Sequence, residues 1–142
     1  MPHVMVLLER IRREADTELG TRLAGVEGMR GSFGRLLCTL PAGGVRPTAM
    51  AADMGITKQA LGERLRELED RGWIVSTPDP DDGRALLVRR TAAGTRIRGR
   101  TERAIASMEQ DWAERVGAER YRVFSEVLAE LGGCSDEVVA DR

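Results

Sequence analysis

The chain has 142 residues, enough for one domain with a buried core, and 42% of them are hydrophobic and 32% charged. No stretch approaches the roughly 18 apolar residues needed to span a membrane. The short apolar cluster at residues 4–8 ends at Glu9 and Arg10, too early for the core of a signal peptide. We therefore expect a cytoplasmic protein that does not associate with membranes.

The charge is distributed unevenly along the chain, although its net value is only −1. Residues 84–103 carry seven arginines against the single acid Glu102, a local charge of +6. Residues 104–142 carry nine acids against four arginines, a local charge of −5. A basic middle and an acidic end suggest one surface for an anionic partner and another that faces away from it. A solvated, arginine-rich helix face is the simpler alternative.

Residues suited to catalysis or metal binding are scarce. The two cysteines, Cys38 and Cys134, are far apart, and His3 is the only histidine. These residues offer neither a nucleophile–base couple nor a zinc site, so we expect no enzymatic activity and no cofactor. Cys38 occupies an apolar helical position and is expected to be a buried core thiol, with a redox switch as the alternative. Cys134 is expected to be exposed and incidental.

Two helices are predicted in the N-terminal third of the chain. Apolar residues recur at helical spacing between residues 4 and 23, with acids and arginines on the opposite face. The glycines of "GVEGMRG" end this helix, and "SFGRLLCTL" follows as a second helix with Ser32 at its N-cap.

The segment 45–73 has the pattern of a helix-turn-helix. Thr48 can cap a short helix over 49–54, and Gly55 supplies the bend. Thr57 can cap a longer helix that ends at Gly72. Its buried positions, four and then three residues apart, are Leu61, Leu65 and Leu68. Any corner between two helices has similar requirements, so this pattern alone is only moderately specific.

A β-hairpin is predicted directly after this pair of helices. "WIVSTP" and "ALLVRR" are typical of strands and "DPDDGR" of a turn, which together with the preceding helix makes a winged helix. Pro78, Asp79 and Pro80 are expected to form the turn, and Leu86 and Val88 to anchor the hairpin. Thr91 then caps a long helix with apolar positions Ile97, Ala104, Ile105, Met108, Trp112 and Val116, and a final helix carries Tyr121, Phe124, Val127, Leu128 and Leu131.

In this arrangement the sequence resembles the MarR family of bacterial transcription regulators. The motifs that carry the resemblance are, in order, Gly55–Leu61 ("GITKQAL"), Leu68–Ile74 ("LEDRGWI"), Asp79–Arg84 ("DPDDGR") and Thr91–Gly94 ("TAAG"). The Asp-x-Arg of the wing, Asp82 to Arg84, is the most specific of them. Two positions depart from the family pattern, since Arg64 and Arg90 stand where apolar residues are usual.

The resemblance covers nearly the whole chain and implies its fold. We expect a mostly α single domain over 1–142 with a small two- to three-stranded β-wing. Residues 30–94 would form the winged helix-turn-helix, and the helices in 1–24 and 95–132 would form a homodimer. The family implies a regulator, more often a repressor, that binds double-stranded DNA at a pseudo-palindromic operator. It also implies a small-molecule effector, aromatic or otherwise, or an oxidant.

The face of the recognition helix opposite its leucines is expected to read DNA in the major groove. Gln59 could bond adenine, and Lys58 guanine or a phosphate. Gly62 would allow the duplex to approach closely, or is simply tolerated. Glu63 either accepts a bond from cytosine or pairs with Arg66, and we favour the pair.

Other candidate DNA contacts lie outside this face. Thr48 and Thr57 cap helices whose N-termini can donate to phosphates, and Arg46 is a further candidate for a phosphate contact. Arg84 on the wing suits the narrow, negative minor groove, although an exposed turn arginine paired with Asp82 is the simpler alternative. Arg89 and Arg90 are expected near phosphates.

The sequence offers fewer signals for an effector site than for a DNA-binding surface. The aromatic residues are more plausible as core than as ligand contacts; they are Phe33, Trp73, Trp112, Tyr121 and Phe124. The redox-sensing branch of the family carries a reactive cysteine in its N-terminal helix, and this chain has none there. One rival function remains open, a winged helix used for protein interaction or assembly, which the net acidity and Glu63 would favour.

Overall fold

A computed structural model describes residues 1–133 of the chain. These residues form six helices and two strands, in an order that agrees with the sequence prediction. They are α1 (Val4–Arg22), α2 (Gly31–Thr39), α3 (Pro47–Met54), α4 (Lys58–Asp70), β1 (Ile74–Asp79), β2 (Asp82–Arg90), α5 (Ala92–Val116) and α6 (Ala118–Leu131). Cys134 lies outside the described residues.

The chain divides into two compact units, and the division falls between Ala104 and Ile105, inside α5. The first unit holds α1 to α4, the hairpin and the start of α5. The second holds the remainder of α5 and α6.

A continuous hydrophobic core joins α2, α3, α4, the hairpin and the first turns of α5 in the first unit. Leu61 and Leu68 of α4 are completely buried and Leu65 is 7% exposed, as the leucine spacing predicts. The other buried members of this core are Phe33, Leu36, Leu37, Leu40, Met50, Ala51, Trp73, Ile74, Val88 and Ile97. Burial of these side chains provides the main free energy that holds the helix-turn-helix and the wing together.

Close backbone contacts explain two of the glycines. A Cβ on Gly31 would lie 2.2 Å from the carbonyl oxygen of Asp16, so glycine is required where α2 begins beside α1. A Cβ on Gly94 would lie 1.8 Å from the carbonyl oxygen of Trp73, where α5 begins beside the hairpin. The start of α2 also differs from the prediction, because the N-cap is Arg30 and Ser32 lies inside the first turn without capping it.

The wing is a two-stranded antiparallel sheet in which Ile74 pairs with Arg90 and Pro78 with Leu86. Val45, just before α3, adds an isolated β-bridge to Val88, so the sheet has two strands, within the two to three that were expected. The turn is tighter than predicted, because β2 begins at Asp82 and the turn residues between the strands are Pro80 and Asp81.

Val88 anchors the hairpin as predicted, whereas Leu86 does not. Val88 is 2% exposed, but Leu86 is 53% exposed. The two side chains share one face of β2, since they are two residues apart. Leu86 lies nearer the tip of the wing, beyond the reach of the core, and therefore stays in solvent.

Helix α6 differs from the other long helices because it buries none of its side chains. Val123, Phe124, Val127, Leu128 and Leu131 are all exposed apolar residues, and Leu131 is 80% exposed. The N-terminal part of α1 also exposes apolar side chains, at Val4, Met5, Val6 and Leu7. Exposed apolar surface of this extent on regular helices is typical of an interface.

Candidate nucleic-acid interface

Helix α4 begins at Lys58 because Thr57 caps it. The Thr57 backbone is extended, with φ −70° and ψ 151°, and its hydroxyl accepts a hydrogen bond from the backbone N–H of Ala60 at 3.1 Å. The cap satisfies one of the free N–H groups at the helix start. The predicted capping role of Thr57 is confirmed.

The face of α4 that opposes the buried leucines is open to solvent. Lys58, Gln59, Glu63 and Arg66 are exposed, as the recognition-helix pattern predicts. Gly62 is partly exposed, and a Cβ added there would meet nothing within 4 Å. The fold does not require glycine at position 62, and its absent side chain leaves a shallow gap in the middle of the exposed face.

The side chains on this face interact differently from the prediction for Glu63. Glu63 accepts a long hydrogen bond from Gln59 Nε2 at 3.5 Å, and Arg66 Nε donates to the carbonyl oxygen of Gly62 at 3.2 Å. The expected pairing of Glu63 with Arg66 is therefore wrong, because each side chain meets a partner one turn earlier on the helix. Arg66 is left without a carboxylate partner in the part of the chain that the structure describes.

Helix α3 begins differently from the prediction. Its first residue is Pro47 and its N-cap is Arg46, without a side-chain cap. Proline is favoured at the first position of a helix because it lacks the N–H group that would need a partner. Thr48 is thus the second residue of the helix and not its cap, although its side chain is exposed near the helix N-terminus. The bend after α3 uses Gly55 in the left-handed conformation, with φ 63°, as predicted.

Arg84 lies in β2, two residues after the turn, and is exposed. Its backbone N–H donates to Asp82 Oδ1 at 3.1 Å. Asp82 therefore contacts the main chain of Arg84 and leaves the guanidinium free of it. Among residues 1–133 no carboxylate forms an ion pair with Arg84, so its charge is available to another molecule.

Arg46 has an intramolecular partner that the sequence did not reveal. Its Nε and Nη2 atoms lie 2.7 Å and 2.5 Å from Asp79 Oδ2. Asp79 is only 6% exposed, and its Oδ1 accepts the backbone N–H of Asp81 at 2.9 Å. This second bond stabilises the turn, although Asp79 itself is the last residue of β1 and not part of the turn as predicted. The turn bond and the Arg46 guanidinium together hold the pKa of Asp79 below its ordinary value.

Arg89 and Arg90 are less available to phosphates than expected. Arg90 is partly buried and donates from Nη1 to the carbonyl oxygens of Leu37, at 3.2 Å, and Leu40. It thereby satisfies free carbonyls at the end of α2, so its guanidinium is held inside the protein and is not free for the expected phosphate contact. Burial, with Arg98 nearby as the next cause, lowers the pKa of Arg90. Arg89 is also partly buried, with its side chain packed beside Gly44.

The cysteine and the aromatic residues differ in burial, and Phe124, which was expected in the core, is 42% exposed. Cys38 is partly buried, and burial is the main cause that raises the pKa of its thiol. Phe33 and Trp73 belong to the core, and the Arg71 guanidinium lies over both rings, 5.6 Å from each centroid. Tyr121 and Phe124 contact each other on α6 at a centroid distance of 6.1 Å.

Nowhere in residues 1–133 do three His, Cys, Asp or Glu side chains group so that they could hold a metal ion. None of the helices described here is both long and apolar enough to cross a membrane.

A capped, exposed helix that follows a tight turn and precedes a two-stranded wing defines a winged helix-turn-helix protein. Comparisons with known proteins agree with that class. The MarR family model matches residues 36–85, and the HTH-type transcriptional repressor Rv2887 of Mycobacterium tuberculosis is 30% identical over 98 residues, 69% of each chain. The chain belongs to the MarR family.

Solved structures show the same fold. A MarR mutant from E. coli in complex with operator DNA superimposes with a TM-score of 0.76 at 19% identity, over 90% of this chain and 92% of that one. CouR from Rhodococcus jostii RHA1, bound to p-coumaroyl-CoA, gives a TM-score of 0.72 at 22% identity, over 92% of this chain and 91% of that one.

Proposed function

We propose that this protein is a transcriptional repressor that binds a pseudo-palindromic DNA operator as a homodimer. The observation that carries the proposal is the combination of two features. The face of α4 opposite its leucines is open to solvent, and Arg84 on the wing has no carboxylate partner among the described residues. Lys58 and Gln59 occupy the first turn of α4, from which side chains reach base edges in the major groove. The M. tuberculosis relative is named a repressor, which supports repression over activation.

Each candidate residue takes a role that its surroundings support. Gln59 and Lys58 would read bases, and Arg66 would contact bases or a phosphate at the far end of the face. Gly62 would let the duplex approach, with Glu63 beside it held by Gln59. Thr57 and Thr48 lie at the exposed N-termini of α4 and α3, which can donate to phosphates. Arg89 would add positive charge near the base of the wing.

Homodimer formation would bury the apolar surfaces that single chains leave exposed. We assign dimerisation to residues 1–24 and 95–132, since the exposed apolar side chains of α1 and α6 fall within these ranges. A second copy of the chain presents the same two surfaces and can cover them by two-fold symmetry. A symmetric dimer in turn explains why the operator would be pseudo-palindromic, with half-sites roughly 10 bp apart.

Small-molecule control of DNA binding is a further part of the proposal. The fold is shared with CouR, whose structure contains p-coumaroyl-CoA. An aromatic acid or its thioester is therefore a reasonable first class of effector to test. Release of bound DNA on its addition would identify such a ligand.

The central experiment is selection of bound DNA from random and genomic fragments, followed by fluorescence anisotropy on the selected site. We expect an inverted repeat, and an affinity that falls steeply with salt because phosphate contacts release counterions. Binding that is absent, or that is independent of salt, would contradict the proposal. The rival, a protein-interaction module, would then be favoured, above all if the surface potential over α4 is negative.

A further inference from the structure

The contact between Arg46 and Asp79 joins two segments that the sequence separates by 33 residues. Arg46 immediately precedes α3, the first helix of the helix-turn-helix, and Asp79 is the last residue of β1, at the tip of the wing. Two nitrogens of the guanidinium approach the same carboxylate oxygen, at 2.7 Å and 2.5 Å. The ion pair therefore ties the outer end of the hairpin to the start of α3.

Two further hydrogen bonds order the turn between this contact and Arg84. Asp79 Oδ1 accepts the backbone N–H of Asp81, and Asp79 is paired in register with Asp82 across the turn. Asp82 Oδ1 in turn accepts the backbone N–H of Arg84. The position of the Arg84 main chain is thus connected, through the turn, to the Arg46 guanidinium.

The base of the wing is held separately. Val45 and Val88 exchange backbone hydrogen bonds of 3.1 Å and 2.9 Å, and Val88 is buried in the core. The tip is different, since Asp81, Asp82, Gly83 and Arg84 are all exposed. A two-stranded hairpin without further support is only marginally ordered in water. A contact from α3 to the tip would therefore restrict its motion substantially.

We propose that Arg46 and Asp79 are positioning residues that hold the wing against the helix-turn-helix, so that Arg84 and α4 engage one DNA molecule together. The inference rests on the proposed DNA-binding function. An arm that is ordered before binding loses less conformational entropy on binding, and this raises affinity without a new contact. Arg46, expected from the sequence to contact a phosphate, would then act on DNA through the wing.

The two roles of Arg46 differ in what they predict for Asp79. If Arg46 contacts a phosphate, the Asp79 carboxylate only weakens the attraction to DNA, and its neutralisation should tighten binding. If the pair positions the wing, neutralisation of Asp79 should weaken binding although it removes a negative charge near a polyanion. The sign of the change in affinity therefore separates the two roles.

The experiment measures binding of the full-length protein to its selected operator by fluorescence anisotropy, for Asp79→Asn, Arg46→Gln and the double variant. Asparagine can still accept the N–H of Asp81, so the turn is retained. We expect each single variant to bind about tenfold more weakly and the double variant to bind no worse, because contacting residues are not additive. In an Arg84→Ala background, Asp79→Asn should have little further effect.

Asp81→Asn is the matched control, since it removes the same charge from an exposed side chain in the same turn. We expect it to bind as tightly as the wild type or slightly more tightly. The proposal is overturned if Asp79→Asn behaves like Asp81→Asn. It is also overturned if Arg46→Gln lowers the salt dependence by about one counterion and is additive with Asp79→Asn, which would indicate a phosphate contact.

A measurement without DNA distinguishes this proposal from the proposed function. Amide hydrogen exchange at Asp81 and Arg84 in the free protein should be faster in Asp79→Asn and Arg46→Gln than in the wild type, while exchange in α4 is unchanged. Unchanged exchange in the wing would contradict the positioning role. A folded wild-type protein that selects no DNA would contradict the proposed function, whatever the exchange rates show.

Discussion

Arg84 and Arg46 show how differently two exposed arginines of one surface can be placed. The guanidinium of Arg84 has no carboxylate partner within residues 1–133, and that of Arg46 is held by Asp79. A free guanidinium keeps its full charge for a ligand, whereas a paired one must first exchange its partner. The free arginine on the wing is therefore the stronger candidate for a direct groove contact.

Replacement of Arg84 by alanine should weaken operator binding by about 1–3 kcal/mol, the range for an arginine that contacts a groove. The folding midpoint should not change, because the side chain is exposed. Arg13→Ala on the polar face of α1 is the control, since Arg13 is 69% exposed and only 3.9 Å from Glu9. If anisotropy titrations show equal, small losses of operator affinity for both variants, Arg84 does not contact a groove and is an ordinary exposed residue of the hairpin.

Cys38 should react slowly with thiol reagents at neutral pH. Burial, followed by the nearby Glu102, raises the pKa of its thiol, so the reactive thiolate is formed only at alkaline pH. In a Cys134→Ser variant, the rate of alkylation should rise with a midpoint above the ordinary cysteine value of about 8.5. A midpoint below that value would support the alternative role of Cys38 as a redox switch.

At the scale of the element, the two predicted threonine caps have different outcomes. Both threonines precede helical patterns, but only Thr57 lies at the N-cap, because Pro47 starts α3 one residue before Thr48. A cap depends on an extended backbone at one specific residue. The pattern locates such a helix start only to within one or two positions.

This difference gives a matched pair of stability measurements. Thr57→Ala removes the hydrogen bond to the N–H of Ala60 and should lower the free energy of unfolding by about 1 kcal/mol. Thr48→Ala removes no cap and should change it by less than about 0.5 kcal/mol. Urea denaturation of both variants checks the prediction, and equal losses would contradict the assignment of the caps.

At the scale of the whole molecule, α6 stands out because its apolar side chains are exposed to water. Phe124, Val127 and Leu128 are 42%, 46% and 37% exposed. Such surface loses its contact with water when a second copy covers it, and this burial drives association.

Leu128→Glu should therefore convert the proposed dimer to a monomer, because a carboxylate would be buried in the interface without a partner. Light scattering after size-exclusion chromatography measures the change in mass. Glu126→Gln on the polar side of α6 is the control and should leave the dimer intact. Operator binding should fall together with the dimer, and a Leu128→Glu variant that stays dimeric would exclude α6 from the interface.

The sequence alone determined the class of fold, the order of elements and which face of α4 is exposed. These features depend on local chemistry, since the spacing of Leu61, Leu65 and Leu68 sets which face is buried and Gly55 sets the bend. The face opposite follows directly from the period of the helix.

Only the tertiary structure decided what the arginines around that face do. Arg46 meets Asp79 across 33 residues, and Arg90 turns inward to carbonyls at the end of α2. Leu86 stays in solvent because the core does not extend to the tip of the wing. A long, flexible side chain takes the partner that folding brings near it, and neither its type nor its spacing along the chain specifies which one that will be.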